Sequence, residues 1–296
     1  MKFKKSLSLL TGIIIALALI ASAYGVFSSE GQDKYEFKSL HGDTVQVHGK
    51  GLYKNESVSM AAQAKAQDVV TLCIGIPLLI GALYLSRKEL LKGKLLLAGM
   101  LGYILYTYAS YSFYAMYNPL FLVYVLLMSA SFFAFTLSMI SFDLGNISSY
   151  FSPKLQVKFI GGVLIFVAAA VGLMWLKRIA TPLLNGIVPT ELEHYTTLII
   201  QALDLGFVVP TAILSGVLLI KRKPFGYLLA SVMIIKESTL LIVIIAMLIS
   251  QIIAGVQIGF IEIVMFSLFT LMVIYCLVLI MKNIKEPCKE QIHYNV

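Results

Sequence analysis

Apolar residues fall into eight long runs along this chain, at roughly 6–26, 68–86, 95–116, 119–141, 158–176, 196–220, 226–252 and 257–281. A helix rises about 1.5 Å per residue, so about 20 apolar residues cross a hydrocarbon core about 30 Å thick. The pattern therefore predicts an all-α fold, a polytopic transmembrane helical bundle of about eight spans. Basic clusters recur at every second boundary: Met1-Lys-Phe-Lys-Lys5, Arg87/Lys88/Lys92/Lys94, Lys154/Lys158, Lys221-Arg-Lys223 and Lys282/Lys285. With eight spans all five lie on one side, which places both termini in the cytoplasm and the chain in the cell membrane as a multi-pass protein.

The first run has two readings. Basic residues, an apolar stretch and Ala21-Ser22-Ala23 fit a secretory signal with a cleavage site, which would leave seven spans. The run extends to Phe27, longer than a usual signal core, and this favours a retained anchor. The chain then divides into a first segment at 1–27, an extracytoplasmic loop at 28–66, spans at 67–141, a cytoplasmic loop at 142–157, spans at 158–281 and a tail at 282–296. The loop at 28–66 carries short β-rich runs punctuated by glycine, Tyr35-Glu-Phe-Lys38, Thr44-Val-Gln-Val47 and Gly49-Lys-Gly51. They predict a small hairpin, either a structural cap or a ligand-binding loop. Further on, Thr181-Pro182 and Val188-Pro189 break helix, and Thr190 with Glu193 predicts a capping box for the sixth span.

Composition agrees with lipid as the solvent. The 296 residues are 59% hydrophobic and 13% charged, against about 25% charged in soluble domains. Mean hydropathy is +0.89. The net charge of +8 sits in the loop clusters, so it sets orientation and gives no reason to expect nucleic acid. Cys73, Cys276 and Cys288 have no paired spacing, and no metal site is expected.

The second and sixth spans echo each other. Asp68 opens one, followed by Pro77 and Arg87-Lys88; Asp204 lies in the other, followed by Pro210 and Lys221-Arg-Lys223. Gly93 and Gly226 follow in turn. Four spans separate the two, so a duplicated unit would sit in parallel orientation, one of the recurring transporter plans.

Ionisable residues within spans are costly, from roughly 2.5 kcal/mol upward at the centre, and are usually paired or line a watery cavity. Asp204, Lys236, Glu237 and Glu262 qualify, with Gln201 one turn before Asp204. From the helical rise, Asp204 lies roughly 13 Å below the outer boundary, Lys236 about 12 Å and Glu262 within about 9 Å. An Asp204–Lys236 pair is thus geometrically allowed, and Lys236 could also reach Glu262. Glu237 is turned about 100° from Lys236 and is expected to address another neighbour or water. Three acids then face one base, which a proton or a bound cation would neutralise. The alternative is that these groups only hold helices together. In the third span Tyr103, Thr107, Ser110, Tyr114 and Asn118 share one face at three- and four-residue spacing, alongside Tyr106, Tyr108 and Tyr111. That hydroxyl stripe marks either a polar outer-half cavity or interhelical hydrogen bonding. Lys177 and Arg178, on the side opposite the other basic clusters, are expected to pair with Glu191 or Glu193, or to hold an anion or lipid headgroup. His194 with those two acids makes a poor metal motif. Asn55-Glu56-Ser57 is a formal glycosylation sequon.

No His-Glu-x-x-His, Gly-x-Ser-x-Gly or P-loop occurs, and the last span carries no lysine for a retinal-type link, so the sequence points to neither an enzyme nor a cofactor. The stretches Gly49-Lys-Gly-Leu-Tyr53, Ala66-Gln-Asp-Val-Val-Thr-Leu72, Gly102-Tyr-Ile-Leu-Tyr-Thr-Tyr-Ala-Ser-Tyr111, Tyr117-Asn-Pro-Leu-Phe-Leu-Val-Tyr124 and Leu203-Asp-Leu-Gly-Phe-Val-Val-Pro210 resemble an uncharacterised bacterial family of multi-spanning membrane proteins. The resemblance runs from about residue 40 through most of the chain. It implies a class and a bacterial origin, and no function. The functional expectation is a permease or ion-coupled carrier with Asp204, Lys236, Glu262, Glu237, Gln201, Tyr103, Thr107, Ser110, Tyr114 and Asp68 around an outer-half polar site. Its partners would be the lipid bilayer and a small polar solute, proton or cation. The rival is a non-catalytic sensor or accessory subunit that meets a membrane-protein partner through its outer face.

Overall fold

In a computed structural model the described residues are 3–286; the expectations for Met1, Lys2, Cys288 and the rest of the tail lie outside them. Eight long helices follow one another: α1 Lys4–Phe27, α2 Val58–Arg87, α3 Leu91–Tyr114, α4 Phe121–Ile140, α5 Val157–Leu184, α6 Ile199–Ile220, α7 Pro224–Ile253 and α8 Phe260–Asn283. Seven of them are long and apolar enough to cross a membrane. The exception is α3, equally long, which carries Lys92, Lys94 and the tyrosines. Its apolar content is lower because its neighbours are protein: Leu97, Ala98, Leu101, Tyr103 and Ile104 are all fully buried. By contrast α8 turns most of its apolar surface outward, with Ile261, Leu268 and Leu271 more than half exposed, as a lipid-facing helix must.

Helix α2 begins ten residues before Asp68, capped by Ser57, whose side chain accepts from the Met60 amide at 3.1 Å. Asp68 therefore lies inside the helix rather than at its start. The expected capping box of the sixth span is also absent. Thr190–Leu192 is a short 3-10 turn, the Thr190 hydroxyl donates to Glu191, and Glu193 takes a positive φ of 49°. That backbone turns the chain away, and α6 starts only at Ile199.

The expected hairpin is present, with Tyr35–Lys38 (β1) antiparallel to Thr44–Val47 (β2) and Tyr35 opposite Val47. Two strands are marginal in water. These are anchored by Val45 and Val47 turned inward and by a bridge from Val47 to Ser57. The end of the bundle carrying this hairpin is called the hairpin end below.

The two halves repeat one plan. In each half the first helix packs on the second and fourth, the second on the third, and the third on the fourth. Each second helix contains a wide π-turn, Thr71–Gly75 in α2 and Asp204–Val208 in α6. Each π-turn is followed at its second position by proline, Pro77 or Pro210. Proline lacks an amide hydrogen and crowds the preceding turn, and the wider turn accommodates both effects inside a continuous helix. The correspondence holds residue for residue from 71 to 204, through 77 to 210, to 93 to 226. Lys88 and Lys221 cap the helices with φ and ψ of −80° and 7°, and −75° and 3°. Glu89 and Arg222 then both take positive φ, 63° and 53°. Gly93 and Gly226 each press against the backbone of the preceding helix, at Leu85–Ser86 and Leu218–Leu219, where no Cβ would fit. The expected parallel echo is thus a shared backbone course over these residues.

The halves differ in how they meet. Helix α7 lies along both α2 and α3 at the centre. The counterpart of the α2–α7 contact would be α6 on α3, and these touch mainly through Ile199–Leu203. The unfilled space beside α6 is the site described next.

Candidate functional site

A cavity of about 530 Å³ lies between α2, α3, α5, α6, α7 and α8. Its hairpin-end rim is formed by Ser59, Glu191, Glu193 and the turn Val256–Ile258, and its floor by Leu164, Ala212 and Val273. From Leu164 to Arg178 along α5 is roughly 21 Å of helix, so the cavity runs well into the membrane-spanning region.

Asp204, the first residue of the α6 π-turn, projects into this space. Its two carboxylate oxygens accept from Tyr106 Oη at 2.6 Å and from Trp175 Nε1 at 2.9 Å. Lys236 does not pair with it. The Lys236 ammonium donates to Glu237 at 2.8 Å and sits 4.3 Å from the centre of the Tyr106 ring. Tyr106 therefore stands between the two expected partners. A long lysine side chain bends around its own helix more readily than a 100° offset suggests, so the expectation that Glu237 looks elsewhere is also corrected. Glu262 is bound by Arg178, which stacks on Trp175 at 5.4 Å and reaches Glu191 at 3.5 Å. The cation expected to pair at the helix ends thus also neutralises Glu262, a charge that seemed to need Lys236. Of Asp204, Glu237 and Glu262, Asp204 alone is left with neutral donors.

The structure brings Asp204, Glu237, Glu262, Gln201, Thr107, Ser110 and Tyr114 to the cavity wall. It leaves out three others. Tyr103 is fully buried and bonds Gln67 and Thr71 at 2.6 and 2.9 Å, behind the wall. Thr107 accepts more weakly from the same Gln67, at 3.4 Å. Asp68 is enclosed in the first half, accepting from Tyr53 Oη at 2.5 Å, with α1 passing so close that Gly25 leaves no room for a side chain there. Lys236 stands behind Glu237 and is 6% exposed. The Ser110 hydroxyl folds back on the Tyr106 carbonyl at 2.8 Å, and Asn118 caps its own turn through the Leu120 amide. The stripe therefore does both jobs expected of it: Tyr103 holds helices together, while Ser110 and Tyr114 face the cavity.

Trp175 was missed. Its available signals were that it is the single tryptophan of the chain and precedes Arg178 by one turn on the same face. Gln63, Gln67 and Gln251 also line the cavity, with Ser59 donating to Gln251 at 2.9 Å.

At the rim, Glu56 ties three segments together. It accepts from the Met116 amide at 2.7 Å and from Tyr195 Oη at 2.5 Å, while Tyr195 accepts from the Ser57 amide. Burial pushes the Glu56 carboxyl up to about 7, against these two hydrogen bonds, which pull it down, and nearby Glu193 adds to the rise. Glu193 is raised as well, by its own burial. Beside them His194 Nε2 meets the Asn55 carbonyl at 2.9 Å. On the hairpin itself, His48 falls to about 4 through burial and through Lys65, Lys34 and Lys50.

Among the described residues no group of three or more His, Cys, Asp or Glu side chains could hold a metal ion. Comparison with protein-family profiles, curated proteins and solved structures finds no match.

Proposed function

We propose that this membrane protein is a non-enzymatic permease or ion-coupled carrier whose solute site is the cavity at Asp204. One observation carries the reading: a carboxyl group held by two side-chain donors lies in a cavity of about 530 Å³ at membrane depth, in a size range typical of ligand sites. The parallel duplication supports it, because sites at the interface of repeated units are a transporter plan. By the distribution of basic residues the hairpin end faces out of the cell, so the cavity is the outward-facing form. Helix α1 belongs to the carrier as a retained span, since it packs on α2 and α4 as α5 packs on α6 and α8.

Single cysteines test this reading, placed at Ser110 and Ala212 in a chain with Cys73, Cys276 and Cys288 replaced by serine. They would be labelled in sealed vesicles with a membrane-impermeant maleimide. A carrier exposes the deep Ala212→Cys from both faces as it alternates. Labelling from the hairpin end alone would favour the sensor reading, and protection of both positions from both faces would remove the site.

A further inference from the structure

We propose that the cavity takes a lipophilic organic cation, an ammonium or similar onium group with an apolar body, seated on Asp204. The inference rests on the solute-cavity reading above and adds the chemical class of the solute. Charge comes first. The wall carries Asp204, Glu237, Glu262, Glu191 and Glu193 against Arg178 alone, with Lys236 backing Glu237. Arg178 is already shared between Glu262 and Glu191. An anion entering here would meet carboxylates in a low-dielectric space with no free base on the wall. A bare metal ion would find the acids dispersed, with no three donors converging among the described residues.

The aromatic groups narrow the class further. Both donors to Asp204 come from rings that already carry a cation over one face, Lys236 on Tyr106 and Arg178 on Trp175. These resident cations show that both rings favour positive charge at this spot. An onium group beside Asp204 would gain the carboxylate and, over a face of either ring, the negative side of its quadrupole. Below it the wall is apolar, formed by Leu164, Val171, Val208 and Ala212. A small hydrated cation gains nothing from that surface, whereas an apolar body does.

Trp175 is the single tryptophan of the chain and touches Asp204, so its fluorescence reports on the site. The experiment titrates the full chain in lipid nanodiscs with benzyltrimethylammonium, its neutral carbon isostere neopentylbenzene, and the anion benzylphosphonate. The expected result is a saturable change with the cation, at least tenfold weaker with either other probe. Asp204→Asn should weaken cation binding at least tenfold, while Asp204→Glu retains it and Glu30→Gln on the hairpin segment leaves it unchanged. If Asp204→Asn does not fold, the ranking of the three probes on the unmodified protein decides alone. Equal binding of cation and neutral isostere, or preference for the anion, overturns the inference and leaves the cavity reading standing. No response to any probe, with the cavity cysteines still labelled, also overturns the inference alone. No response together with unlabelled cysteines overturns both.

Discussion

Protonation of Glu56 should govern how firmly the rim of the cavity is held. This residue is 2% exposed and links the 28–57 segment to Met116 at the end of α3 and to Tyr195 ahead of α6. Burial, the largest cause, lifts its carboxyl from 4.5 to about 7. An acid whose folded pKa is raised binds its proton more tightly in the folded rim than in the opened one. The stabilisation is therefore complete below about pH 4.5 and is lost as pH rises through about 7. The difference corresponds to about 3 kcal/mol, roughly a hundredfold in the opening equilibrium. Amide exchange is the suitable assay, because such rims open locally without global unfolding. Corrected for intrinsic exchange, protection of residues 115–120 and 190–198 should fall about a hundredfold between pH 4.5 and 8. Glu56→Gln keeps an acceptor for the Met116 amide and meets Tyr195 with an amide that donates instead of accepting, but it cannot titrate, so its protection should be nearly flat. Glu193, raised in the same direction, accounts for a smaller residual slope. An undiminished slope in Glu56→Gln would refute the assignment.

Two further outcomes are expected. Gly93→Ala and Gly226→Ala each force a methyl against helix backbone, so each should cost about 1–3 kcal/mol in an SDS-unfolding titration, by similar amounts. Gly12→Ala and Gly162→Ala, with open space at the Cβ, should be near neutral; a neutral Gly93→Ala would contradict the shared packing of the two halves. Tyr103→Phe should cost about 1 kcal/mol of stability by removing a hydroxyl from Gln67 and Thr71. It should leave labelling of a cysteine at Ser110 unchanged, and altered labelling would place Tyr103 in the cavity wall after all.

Much of the fold was legible because lipid imposes a simple rule. Every span needs about 20 residues that tolerate hydrocarbon, and all eight apolar runs became helices. The starts were harder. The run 58–67 is polar enough to read as loop, yet it is helix because Gln63 and Gln67 face the cavity and α3 rather than lipid. The capping motif at Thr190 failed for the opposite reason: its pattern was present, but the positive φ at Glu193 turned the chain before a helix could form. Depth along a helix was readable from residue counts, and it brought Asp204 and Lys236 to one level, with Glu262 slightly nearer the outer boundary. Which of them touch depends on rotation about the helix axes and on side-chain reach, neither of which spacing specifies. Hence Glu262 found Arg178, across 84 positions of chain.

The duplicated plan also locates where the halves differ at the cavity, which lies between α2 and α3 of the first and α5–α8 of the second. In the first half the start of the π-turn, Thr71, touches Tyr103 on the neighbouring helix at 2.9 Å. The equivalent positions in the second half are Asp204 and Lys236, and there Tyr106 from α3 stands between them. The same helical course therefore packs tightly when its contact residues are neutral and hydrogen-bonded to each other. In the second half α6 still packs along α7, but these two positions meet through the Tyr106 ring of α3 rather than directly. Neutral contacts of this kind add modest stability to a closed bundle. Charged ones need water or a ligand beside them, because a membrane interior offers few other ways to solvate a carboxylate. Asp204, which stands where the first π-turn has Thr71, thus lies on the cavity wall, and the first unit supplies the facing wall through Gln63, Tyr106 and Ser110.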